Sequence, residues 1–174
     1  MEPLAARTFV GRLAAARIGA TFNQYAASAR LRERLASYLE SRTGAPFLLV
    51  GEAAGYRGAR VSGLPFTSER QLSGSGPAES AATIVHAALR ELGAVDAVLL
   101  WNLVPTHPGT PTSNRAPTRA EMAAGRPFVD ELAAGRRVIA IGRFAQRALG
   151  APYVRHPSHG GARAFQAALV ELLG

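Results

Sequence analysis

Four short apolar runs, separated by helix-like stretches, constrain the fold more than any other feature of this chain. They are Phe47-Leu48-Leu49-Val50, Asp96 to Trp101, Arg137 to Ile141 and Tyr153-Val154-Arg155. The first is unbroken, as expected for a strand covered on both faces, and the other three read as further strands. Their alternation with helices predicts a parallel sheet between two helical layers. The expected fold is α/β: a three-layer α/β/α arrangement around a central four-stranded parallel sheet, in a single domain over residues 1–174. Helices are expected over residues 3–20 and 24–42, the latter with Leu31, Leu35, Tyr38 and Leu39 on one face. Further helices are expected from Ser80 to Leu92, after Gly142 and from about Ala162 to Leu173. Another opens on Thr118-Arg119-Ala120-Glu121, which fits a capping box. The Gly-, Pro- and Ser-rich stretch from Gly51 to Pro77 is too long for an idle connection, so it reads as a functional loop with some helix inside. Asn102 to Pro117 reads as a second loop.

Composition narrows the chemistry. The chain of 174 residues is long enough for a sizeable core. Its formal net charge is +8 and every basic residue but histidine is Arg. Arg over Lys fits a GC-rich coding bias, but that bias does not explain the charge imbalance, which points to a polyanionic partner. There is no Cys, which excludes disulfides, thiolate catalysis and Cys-ligated iron–sulfur clusters. His86, His107, His156 and His159 lack paired metal-ligand spacing, so no metal and no cofactor are expected. No apolar stretch reaches the ~18–20 residues of a membrane helix. Arg7, Arg12 and Arg17 interrupt any signal-peptide pattern. A cytoplasmic monomer is expected, and the basic excess attracts nucleic acid or an anionic membrane surface.

Right-handed crossovers put all the strand ends on one rim, and open parallel sheets bind ligands there. The rim residues are Gly51-Glu52-Ala53-Ala54-Gly55, Asn102 and His156-Pro157-Ser158. Glu, Asn and His together suit a small planar polar molecule. Glu52 can orient a water and stabilise a developing cation, or simply cap the glycine loop. Asn102 can hydrogen-bond the edge of such a molecule or form a turn. His156 can donate to developing negative charge or cap the last helix, and Phe66 can stack on a ring or plug the core.

The segments Leu49-Val50-Gly51-Glu52-Ala53-Ala54-Gly55, Gly63-Leu64-Pro65-Phe66, Leu99-Leu100-Trp101-Asn102 and His156-Pro157-Ser158 follow in order over roughly residues 47–160. Together they resemble the uracil-DNA glycosylase superfamily, nearest the branch whose first motif reads Gly-Glu-Ala-Pro-Gly. That branch carries four cluster-binding Cys, which this chain lacks. The resemblance implies that Gly51, Ala53 and Gly55 line a base pocket, that Glu52 holds the attacking water and that Phe66 stacks on the flipped base. It further implies that Asn102 reads the base edge and that His156 donates to the uracil O2. Ser158, Arg115, His159 and Arg163 fall where DNA contacts are expected, the last two in the loop that often carries an apolar wedge. Two departures stand out. Ala53 replaces the Asp of the best-known uracil-specific branch. Gly55 replaces a Tyr that blocks the thymine 5-methyl there, leaving room unless Tyr56 or another side chain fills it.

The implied activity is that of a monofunctional DNA glycosylase, flipping and hydrolytically removing uracil or a related deaminated base in base excision repair. With no Lys, a Lys-based lyase step is excluded. The alternative is a lesion-binding protein of the same fold, either non-catalytic or capturing the abasic sugar covalently through His156 or His159. A small-molecule hydrolase using Ser158 and His159 is disfavoured, because no Gly-Xaa-Ser-Xaa-Gly elbow is present.

Overall fold

A computed structural model describes residues 3–158 and 160–173 of the chain. Helices α1 (Pro3–Ala15), α2 (Gln24–Ala27) and α3 (Ala29–Ser41) precede strand β1 (Phe47–Ala53). Then come α4 (Ala59–Ser62), α5 (Glu69–Ser73), α6 (Ser80–Glu91), β2 (Val98–Val104) and a small hairpin of β3 (Gly109–Thr110) and β4 (Ser113–Asn114). The chain ends with α7 (Arg119–Ala133), β5 (Arg137–Ile141), α8 (Arg143–Leu149), β6 (Tyr153–Val154) and α9 (Ala162–Leu173). The four apolar runs form one parallel sheet in the order β2-β1-β5-β6.

Side chains alternate across this sheet, as the period of two requires. Leu48, Val50, Leu99, Trp101 and Leu103 face one core with Phe9 and Leu13 of α1, Leu35 and Leu39 of α3, and Val129 and Leu132 of α7. Leu49, Leu100, Ile139, Ile141 and Val154 face a second core with Val85 and Leu89 of α6 and Phe165 and Leu169 of α9. Helices thus cover both faces, which is why the strands read as continuous apolar runs. Close helix–sheet approach is specified at Gly125, where a Cβ would run into the Leu103 carbonyl. Strand β2 lies at the sheet edge, and the Tyr38 hydroxyl accepts the Leu100 N–H at 2.8 Å. That bond occupies one donor an edge strand would otherwise leave open. Among the described residues no helix is long and apolar enough to cross a membrane.

Three sequence expectations need correcting. The helix expected over 24–42 breaks at Ser28, whose extended backbone ends α2 and starts α3 while its side chain accepts from Leu31 N. The helix expected over 3–20 stops at Ala15. The Asn23 side-chain amide donates to the carbonyls of Leu13, Ala14 and Ala16, and its oxygen caps α2. A side chain that satisfies two helix ends at once fixes the corner between them. Finally, β1 and β2 run farther than their apolar runs. Gly51 pairs with Asn102 and Ala53 with Val104, so Glu52 and Asn102 belong to strands, not to loops beyond them. The expected capping box is present, with Thr118 and Glu121 exchanging both bonds.

Candidate active site

At the carboxyl end of β1 and β2 lies a cavity of about 310 Å³. Glu52, Ala53, Gly55, Phe66, Asn102, Arg115, His156 and Ser158 all line it. Gly51 sits buried behind the Phe66 ring. Arg163 is exposed on the first turn of α9 and does not line the cavity. His159 lies outside the described residues.

The position of Phe66 is set by an unusual backbone. Its φ is 49°, the left-handed region, and it is the one non-glycine residue with positive φ among those described. Such a conformation is strained for a bulky side chain, so the surrounding turn must enforce it. Ser62 Oγ donates to Thr67 O at 2.6 Å and accepts from Leu64 N at 3.0 Å, while Thr67 Oγ1 donates to Pro65 O at 3.0 Å. His86 Nε2 meets Thr67 Oγ1 at 3.0 Å, and burial, with Arg90 nearby, holds the His86 pKa below its usual value. The turn delivers the ring against β1 at Gly51, where any Cβ would collide with it. The ring is 7% exposed and stands 6.5 Å from the His156 ring, centroid to centroid. A flat apolar wall results, suited to an aromatic ligand.

Two polar side chains of the cavity, Asn102 and Glu52, are unspent. Asn102 is only 4% exposed, yet its side chain, like that of Glu52, makes no hydrogen bond or ion pair with another described residue. Water exclusion raises the Glu52 pKa. A second carboxyl, Glu79, lines the same cavity, and burial raises its pKa too. Sequence reasoning missed it. It precedes α6 in no motif, and the signal lay in Gly55 and Gly58, whose absent Cβ atoms admit its carboxylate oxygens.

His156 is held in a defined tautomer. Its Nδ1 accepts from the Ser158 backbone N–H at 3.2 Å and faces Ser158 Oγ at 2.8 Å. A backbone N–H can only donate, so in the neutral ring the proton sits on Nε2. The tight turn depends on Gly161, where a Cβ would strike the His156 carbonyl. Ser158 is thus spoken for by His156 on its side-chain oxygen.

Arg115 is a brace. Its guanidinium grips Glu121 at 2.8 and 2.6 Å, and Glu121 also accepts from Thr118 N and Ala20 N. The Arg115 guanidinium and these backbone donors hold the Glu121 carboxyl down at about 2. Beside it, Asn114 Oδ1 accepts Tyr56 N–H at 2.9 Å, which ties the β3–β4 hairpin to the glycine loop. Buried His107 reinforces the same rim, its ring nitrogens 2.7 and 2.8 Å from the carbonyls of Ala54 and Thr110. No group of three or more potential metal ligands occurs among the described residues.

Comparison with known proteins bears on the family and the fold. The family model described as the uracil DNA glycosylase superfamily matches residues 38–170. No curated protein sequence matches the chain. Among solved structures, the crystal structure of wild-type Pedobacter heparinus SMUG2 superposes with a TM-score of 0.69 at 12% sequence identity, covering 97% of this chain and 96% of that one. At that identity the likeness speaks for the fold, while the family model spans most of the chain, from α3 into α9. The chain therefore belongs to the uracil DNA glycosylase superfamily.

Proposed function

We propose that this protein is a monofunctional DNA glycosylase that hydrolytically removes uracil or a related deaminated base from DNA. One observation carries the reading: Glu52, Asn102 and His156 line a single cavity beside the Phe66 ring, with no described partner consuming the side chains of Glu52 or Asn102. The flipped base stacks on Phe66, a contact worth ~1–3 kcal/mol and tolerant of base identity. The Asn102 amide accepts from uracil N3–H and donates to O4; cytosine reverses that pattern and is rejected. As the glycosidic bond breaks, its electron pair passes to the base, and the Nε2–H of His156 donates to O2 where negative charge collects. Glu52 stabilises the cationic sugar, orients the water that attacks C1′ and takes its proton. The base anion takes up a proton, balancing the one that Glu52 holds and releases, and the products are the free base and an abasic site. Exposed arginines, Arg163 among them, and the start of α9 meet the phosphate backbone, while Ser158 holds His156 in place.

The test is base release from labelled DNA carrying one uracil, opposite guanine, opposite adenine or unpaired, followed by alkaline scission. Cleavage at uracil and not at thymine is expected. Tight, salt-sensitive binding without release in any context overturns the catalytic reading in favour of a lesion-binding protein. A complex surviving denaturing electrophoresis would identify covalent capture.

A further inference from the structure

Gly55 opens one side of the cavity, and the structure closes it with a residue from elsewhere in the chain. A Cβ on Gly55 or on Gly58 would collide with a carboxylate oxygen of Glu79. Two glycines on one loop thus make a seat for one side chain. Glu79 lines the same cavity as Glu52, Asn102 and His156, and it forms no side-chain hydrogen bond or ion pair with a described residue. It does not cap α6 either, although it occupies the N-cap position. Carboxylates with structural work here look different: Glu69 is held by Arg34 and Glu121 by Arg115. A partly buried carboxyl that forms no ion pair with a described arginine and lines a cavity points to a ligand-facing role.

We infer that Glu79 is the specificity-determining side chain of the base pocket: seated on Gly55 and Gly58, its carboxyl closes the side that Gly55 opens and excludes an apolar substituent there, such as the 5-methyl of thymine. The inference rests on the proposed reading of the cavity as a base site. A methyl group at this edge would overlap the carboxyl or strip water from it without returning a hydrogen bond. A bare ring edge leaves the carboxyl hydrated, and a hydrogen-bonding substituent satisfies it. Rejection of thymine then needs no bulky residue at position 55. Burial raises the Glu79 pKa, as it does that of Glu52 across the same cavity.

The experiment compares the wild type with Glu79→Ala, Glu79→Asp and Glu79→Gln on duplexes carrying a single uracil or thymine opposite guanine. It reads base release and, separately, the affinity for each duplex by fluorescence anisotropy, with thermal melts to confirm folding. Glu79→Ala should raise thymine release relative to uracil release at least about tenfold, with uracil release kept within a few-fold of wild type. Glu79→Asp, which withdraws the carboxyl from Gly55, should move the same way by less, and Glu79→Gln, which keeps the size, should keep the wild-type preference. An unchanged thymine-to-uracil ratio in folded Glu79→Ala and Glu79→Asp overturns the inference. So does loss of uracil release in Glu79→Gln with DNA binding intact, since that assigns Glu79 to the chemistry. A wild type that releases no base refutes the glycosylase reading instead. The relative affinity for the two duplexes still decides the role of Glu79 in that case, because a pocket filter acts on binding too.

Discussion

Glu52 sits where water is partly excluded and no described cation compensates it, and both its chemistry and its cost follow from that. Replacing it by Gln should cost at least about a hundredfold in base release while leaving DNA affinity little changed, because its contribution grows in the transition state. Single-turnover kinetics set beside anisotropy checks this; equal activity in Glu52→Gln removes it from the mechanism. Stability should move the other way. A carboxyl raised above its unfolded value destabilises the fold as pH rises past that value, so Glu52→Gln should melt higher than wild type near about pH 7 and together with it near about pH 3. Glu52, Asn102 and His156 were legible as residues because each follows an apolar run. Glu79 was not, because nothing beside it in sequence is patterned and its two glycine seats look like ordinary turn residues.

At the level of elements, strands and helix types were legible from apolar periodicity, and the start of α7 from its capping box. The break at Ser28 was hidden because the apolar spacing of α3 continues smoothly into the residues before it, while the interruption is made by side-chain caps. The second role of Glu121 was equally hidden, since its bond to Ala20 N spans 101 residues of sequence. This brace has the opposite pH signature to Glu52. With a folded pKa of about 2 against an ordinary 4.5, Glu121 adds stability above the ordinary value and loses it as pH falls toward about 2. Allowing for the partly exposed Arg115, Glu121→Gln should cost on the order of 2 kcal/mol near neutral pH, with the gap closing in strong acid. Denaturant melts at several pH values measure this directly. On β1, Gly51→Ala forces a methyl into the Phe66 ring. Overpacking of this kind costs ~1–3 kcal/mol, and base release should fall with it because the ring must leave its place; a variant with wild-type release and stability would refute that packing.

For the whole molecule, the excess of eight positive charges should make DNA binding electrostatic in the main. Affinity is expected to drop at least about tenfold between 50 and 200 mM salt, and a salt titration by anisotropy reads it; a flat response would mean that the charge serves something other than the phosphate backbone. Global stability also bears on Phe66. Burying a Phe ring stabilises a fold by ~1.5–3 kcal/mol, and a left-handed bulky residue costs ~1–3 kcal/mol. The two nearly cancel. Phe66→Gly, free to adopt φ of 49°, should therefore melt close to wild type, while base release falls by the ~1–3 kcal/mol equivalent of one stacking contact. Heat resistance and pocket shape are thus uncoupled at this position: a thermal screen of variants would pass over it, and a sturdy, well-behaved preparation of this protein would say nothing about whether its stacking wall is intact.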